Sequence, residues 1–117
     1  MDNGVGSPRV LVVDDDPRAV EHVAHRLETS GFQVVRAYGG REALDVVRSR
    51  DIGLVILDLM MPDLTGFDVL SQLRAEPATV DLPVMILTAK FLEPDERRRL
   101  ESAHVIEKTG YDQVAFL

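Results

Sequence analysis

The stretch Leu54-Val55-Ile56-Leu57-Asp58 restricts the fold of this chain more than any other. Its four apolar residues, two of them β-branched, leave no polar face for water, so a strand here has to be covered on both sides. Strands of that kind belong to parallel sheets with helices packed on each face. The run stops on a carboxylate, and Pro62 and Gly66 then mark an ordered loop ahead of the next helical pattern. Open α/β sheets bind ligands at the carboxyl ends of their strands. Asp58 is therefore placed to be a nucleophile, a metal ligand or a plain strand terminator.

The rest of the chain supplies the layers that such a strand needs. Val10-Leu11-Val12-Val13 is a first buried run, ending on Asp14-Asp15-Asp16. Pro17 suits a first helical position, with Asp16 as the N-cap before it. Val20, Val23, Ala24 and Leu27 recur along one helical face, and Ser30-Gly31 closes that helix. The pattern then predicts a strand over 32–37, a turn at Gly39-Gly40 and a helix over 41–50 that buries Ala43, Leu44 and Val47. Phe67, Leu70 and Leu73 mark a third helix, halted near Pro77. A strand over 83–87 leads into Thr88-Ala89-Lys90, a charged helix fits 93–103, and a short strand at 105–107 ends on Lys108.

Tyr111 to Leu117 reads as the start of a last helix, and residues 1–8 as a mobile tail before one domain over 9–117. Strands alternating with helices at this spacing predict βαβ units with right-handed crossovers, hence an α/β fold with a doubly wound parallel sheet.

Composition narrows the function classes. Hydrophobic residues at 45% with 28% charged exclude a disordered chain. The net charge of −7 argues against nonspecific nucleic-acid binding by this domain, so no direct nucleic-acid partner is expected. Without cysteine there is no disulfide framework and no thiolate zinc site. No apolar run approaches spanning length and no basic n-region opens the chain, so the expectation is a cytoplasmic protein with no membrane contact.

In a doubly wound sheet the strand ends share one edge, which brings Asp14, Asp15, Asp58, Thr88 and Lys108 together. Converging carboxylates repel one another unless a cation sits among them. All-oxygen ligation with few protein donors suits Mg²⁺, which keeps several waters and often bridges to a phosphate. A lysine offers a compact positive charge for a phosphoryl oxygen, and a threonine hydroxyl offers a hydrogen bond. Together this is equipment for phosphoryl transfer to a carboxylate.

On these residues the sequence resembles the receiver domains of two-component response regulators, over almost the whole chain from Arg9 to about Leu117. The motif residues are Val12-Val13-Asp14-Asp15-Asp16-Pro17, then Leu57-Asp58-Leu59-Met60-Met61-Pro62-Asp63 with Gly66, then Leu87-Thr88-Ala89, then Lys108. The resemblance implies a flavodoxin-like five-stranded sheet in the order 2-1-3-4-5. It implies that Asp58 accepts a phosphoryl group from a histidine kinase or histidine phosphotransfer protein, as a switch and not as an enzyme. It also implies Mg²⁺ held by Asp15, Asp58 and the Met60 carbonyl, with Asp14 acting through water. Thr88 and Lys108 would bind the phosphoryl oxygens while Ala89 leaves room for the group.

The sequence departs from the family pattern in two residues: Thr109 follows Lys108 where proline is usual, and Val105 stands where many members carry an aromatic. The short segment from Thr88 to Lys108 is more similar to receivers attached to hybrid histidine kinases. Its thin apolar stripe of Leu92, Leu100 and Ala103 marks 89–105 as the segment that phosphorylation would order or shift.

Two rival readings use the same residues. A haloacid dehalogenase-type phosphatase would use Asp14 as nucleophile and Asp16 as acid/base. A pseudo-receiver would keep the fold as a phosphorylation-independent interaction module. His22 and His25, three apart on the first helix, read as solvated residues, and Arg97-Arg98-Arg99 as a solvated charge run.

Overall fold

The computed structural model describes residues 8–107. Lys108, the helix expected from Tyr111 and all of the tail except Pro8 lie outside the described residues. Five strands form one parallel sheet: β1 (Arg9–Val13), β2 (Val34–Ala37), β3 (Ile52–Asp58), β4 (Val84–Thr88) and β5 (His104–Glu107). Their order is β2-β1-β3-β4-β5, as the resemblance implies.

Alternation along the strands builds two cores. Leu11, Val13, Val55, Leu57 and Ile86 face α2 (Gly40–Ser49) and α3 (Gly66–Ala75), while Val10, Val12, Ile56 and Leu87 face α1 (Pro17–Thr29). The central strand is therefore covered on both faces. Within α1 the buried residues are the expected Val20, Val23, Ala24 and Leu27. Asp16 is its N-cap, accepting the Arg18 N–H at 3.0 Å, and Gly31 leaves the helix at φ +100°.

Three differences from the expected boundaries reach two residues or more. The second strand starts at Val34 and not at Phe32, which is 51% exposed. The Phe32 N–H is spent on the Leu27 carbonyl at the end of α1, so the chain is still leaving the helix there. The third strand starts two residues before Leu54, at Ile52. The charged helix is only α4 (Pro94–Arg99), because Leu100 turns into the core and the following backbone bonds step back three residues. The turns at 100–103 that replace the rest of the expected helix lead directly into β5.

Two features hold the layers in place. Arg36, on edge strand β2, donates to Glu21 (2.6 Å) and Glu28 (3.0 Å) of α1, pinning that helix to the sheet. The Arg36 hydrogen bond holds the Glu28 carboxyl below its ordinary value of 4.5. Gly66, the first residue of α3, packs directly beneath the end of β3. A Cβ there would stand 2.5 Å from the Asp58 carbonyl oxygen and 2.8 Å from the Leu59 Cα.

Both features make predictions. Gly66→Ala should destabilise by about 1–3 kcal/mol in urea unfolding, since backbone has to move. At Gly39, where an added Cβ meets nothing within 4 Å, the same change should cost less than about 1 kcal/mol. Equal effects would mean that the Gly66 contact is not limiting. Arg36→Met should lower stability at neutral pH, with a deficit that shrinks in acid. The depressed Glu28 carboxyl contributes stability that is fully present above 4.5 and is lost as pH falls through its lower folded value. A deficit unchanged between pH 7 and about pH 3 would assign the loss to packing instead.

Candidate functional site

Parallel register carries the site residues to one edge. Val13 pairs with Leu57, and Asp58 pairs with Leu87. The residues that end or follow β1, β3 and β4 consequently emerge side by side. Asp14 leaves β1 half-buried, with its N–H on the Ala37 carbonyl at 3.3 Å. Its Oδ1 accepts the Asp16 N–H at 3.0 Å, which fixes the side chain at the mouth of the sheet. Asp15 is exposed beside it, and Asp58 is the half-buried last residue of β3.

One carboxylate oxygen from each of Asp14, Asp15 and Asp58 lies within 4.8 Å of the others. Three carboxylates at that spacing raise each other's energy in the charged state unless a cation joins them. The donor set is all oxygen and open to solvent on the Asp15 side, which fits a small hard divalent ion that keeps part of its water shell. The fit comes from side chains that the sequence had already grouped.

The loop after β3 is built to hold Asp58 still. Leu59 and Met61 plunge into the core, and the Met60 between them points outward, 59% exposed. The Met60 N–H donates to Asp58 Oδ2 at 3.2 Å, and the Gly66 N–H returns to the Leu59 carbonyl at 3.0 Å. Asp63 takes the left-handed conformation at φ 67°, a region that aspartate tolerates better than most residues. The Thr65 hydroxyl and Asp68 carboxylate then close a capping box at the start of α3.

Thr88 ends β4 on the adjacent strand and is completely buried, with its Oγ accepting the Lys90 N–H at 3.0 Å. Ala89, next along, is exposed. Six of the seven expected site residues thus lie at the same sheet edge, and Lys108 lies outside the described residues.

A cleft beside them is lined by Val12, Ala19, His22, Ile56 and Leu87 together with Asp14 and Asp58. His22, read from sequence as merely solvated, is exposed but borders this cleft. Only its position one turn into α1, past the acidic cluster, could have signalled that. Asp16, the acid/base of the rival phosphatase, is occupied as the α1 N-cap. Lys90 also escaped the sequence reading, because its partner Glu96 is identifiable only once α4 is in place.

Comparison with known proteins agrees with this geometry. The family model described as the response regulator receiver domain matches residues 10–112. The transcriptional regulatory protein PrrA of Mycobacterium tuberculosis is 41% identical over 102 residues, 87% of this chain and 43% of the relative. The N-terminal domain of a response regulator receiver protein from Methanoculleus marisnigri superposes with a TM-score of 0.79 at 36% identity, covering 88% of this chain and 85% of that one. The response regulator TrrA of Thermotoga maritima, solved in complex with Mg²⁺-BeF, gives 0.76 at 31% identity, covering 88% of each chain.

This chain spans less than half the length of the curated relative, which is named for transcriptional regulation. The expectation of no direct nucleic-acid contact therefore finds no support among the relatives. Among the described residues no helix is long and apolar enough to cross a membrane. The sheet order, the convergent aspartates and the family match over most of the sequence lead to one conclusion: the chain belongs to the response regulator receiver domains of two-component systems.

Proposed function

We propose that Asp58 is the phosphoryl acceptor of this receiver domain, taking the group from a histidine kinase or histidine phosphotransfer protein. The observation that carries this reading is the convergence of three carboxylate oxygens within 4.8 Å, one strand away from a buried threonine hydroxyl. Receiver domains are typically signalling domains and not enzymes, and they meet histidine kinases and downstream effectors. They bind Mg²⁺ at an acidic pocket. In this chain Asp14, Asp15, Asp58 and the Met60 carbonyl would hold the ion. When bound, it neutralises the clustered oxygens and the incoming phosphoryl charge.

The residues divide the work by position. Asp58 Oδ attacks phosphorus, the new O–P bond forms as the P–N bond of the phosphohistidine breaks, and the electron pair stays with the imidazole nitrogen. The Thr88 hydroxyl is an O–H donor that can turn from its present bond toward a phosphoryl oxygen. Ala89 carries only a methyl group, which leaves room for the incoming group. Lys108 completes the set as the cation for a phosphoryl oxygen. Cytoplasmic location follows from the partners proposed.

Two measurements test the assignment. Mg²⁺ at 100 times its Kd should stabilise the chain by about 2.7 kcal/mol, a rise in Tm of roughly 10 °C for a domain of this size. Asp15→Asn should abolish that rise, and an unchanged rise would place the cation elsewhere. Acetyl phosphate with Mg²⁺ should add one hydroxylamine-sensitive phosphoryl group per chain by intact mass, and Asp58→Asn should add none. A label kept by Asp58→Asn but lost in Asp14→Asn would favour the phosphatase-type use of Asp14. No label on the wild-type chain would favour a phosphorylation-independent module.

A further inference from the structure

Strand β5 lies at an edge of the sheet, and its own residues do little to specify where along β4 it sits. It has four residues, His104-Val105-Ile106-Glu107, with the two apolar ones adjacent. Val105 packs against the core beneath α2 and α3, and Ile106 against the core beneath α1, both only half-buried. A slip by one residue exchanges the two faces of a strand. Here one of the two places would keep a β-branched residue, and the other would take His104 or Glu107. Both places are partly open to solvent, so burial alone discriminates weakly. Yet the register is definite: Met85 stands beside His104, and Thr88 beside Glu107.

A contact outside the strand fixes it. Arg74, half-buried in the last turn of α3, reaches the amino ends of β4 and β5, the ends opposite the acidic cluster. Its Nη1 donates to the Leu82 carbonyl at 2.7 Å and, more weakly, to that of Thr79 at 3.3 Å. Its Nη2 donates to the Ser102 carbonyl at 2.8 Å. Leu82 and Ser102 each stand two residues ahead of a strand, β4 at Val84 and β5 at His104. One planar fork of fixed geometry therefore holds both strand entries. On the β4 side the frame is already set, because the Pro83 carbonyl accepts the Val55 N–H of β3 at 3.0 Å. The Thr79 hydroxyl, donating to the Leu73 carbonyl at 2.6 Å, ties the same loop to the end of α3. Buried Leu100 anchors the chain four residues before β5, and the Ser102 carbonyl carries that anchor up to the strand. At the far end of β5 the tie is an ion pair between Arg97 and Glu107, both well exposed, a kind of pair that contributes little.

We propose that Arg74 is a positioning residue for the phosphorylation site: by fixing the register of β5 on β4, it delivers Lys108 to Thr88 and Asp58. The proposal rests on the reading that Lys108 is the cation for a phosphoryl oxygen. Lys108 follows Glu107 in the chain, and Glu107 stands beside Thr88. Each strand residue advances the chain by about 3.3 Å. A register wrong by one residue would carry the lysine that far along the edge and reverse the face that it serves. Either error exceeds what a hydrogen bond to a phosphoryl oxygen tolerates. Arg74 itself stays away from the chemistry, roughly 15 Å off at the other end of the strands, and acts only through the backbone it holds. Lysine is no substitute, because an ammonium is a point donor on a flexible stem and imposes no spacing on two carbonyls.

The test reads register and site together on the full chain. Backbone NMR follows the contacts between β4 and β5, and ¹⁹F NMR follows the affinity for beryllofluoride with Mg²⁺. Lys108→Ala should weaken beryllofluoride binding roughly tenfold, the weight of one charged hydrogen bond, with all strand contacts kept. Arg74→Met should keep the contacts among β1, β2 and β3, lose the pairing of Thr88 with Glu107, and weaken binding by a similar factor. Added to Lys108→Ala, the arginine change should cost less than about twofold more, because the lysine that it positions is already gone. Arg74→Lys should resemble Arg74→Met in both measurements, and it carries the test alone if Arg74→Met does not fold. Thr88–Glu107 pairing that survives the loss of the guanidinium, or a full second loss of affinity in the double variant, overturns the proposal and leaves the Lys108 reading standing. Lys108→Ala binding like wild type defeats that reading, and this proposal with it, whatever the strand contacts show. A wild type that binds no beryllofluoride removes the Asp58 assignment on which both depend.

Discussion

Everything at the functional edge depends on the parallel register of β1, β3 and β4. Because Val13 lies beside Leu57 and Asp58 beside Leu87, three strands end nearly in step and their polar terminators emerge together. Folding thereby concentrates like charge, at a cost that burial of Leu11, Val55, Leu57 and Ile86 beneath it must offset. A sheet slipped by one residue would turn Asp58 toward the opposite face and scatter the cluster. The apolar strand interior and the acidic edge are two consequences of one alignment.

Around that alignment the molecule is stiff where position matters. Leu59 and Met61 anchor the loop after Asp58 in the core, and Gly66 lets α3 begin against the strand end itself. The segment beyond Thr88 is held more lightly. There α4 buries none of its six residues and is held by its flanks, with Leu92 and Leu100 sunk into the core on either side.

Much of this was legible in the sequence, for identifiable reasons. Runs such as Val10–Val13 and Leu54–Leu57 have a single comfortable environment, and Asp16-Pro17 and Gly31 are strong helix signals. The acidic cluster followed from strand ends alone. What failed did so where local pattern and tertiary packing disagreed. Phe32 looks like a strand residue but is spent on leaving α1. The charged stretch 93–103 has helical composition throughout, yet burial of Leu100 ends the helix at Arg99. Arg74 and Lys90 carry no motif, since their acceptors are backbone carbonyls and a carboxylate that only the folded chain brings within reach.

The central claim is that the convergent aspartates form one divalent-cation site whose bound state supports a phosphoryl group on Asp58. Beryllofluoride, which adds to an aspartate as an acyl-phosphate mimic, tests it most directly when followed by ¹⁹F NMR. The account predicts one set of bound fluorine signals per chain, present only with Mg²⁺ and absent in Asp58→Asn. Bound signals that persist in Asp58→Asn, or that form equally well without the metal, would contradict it.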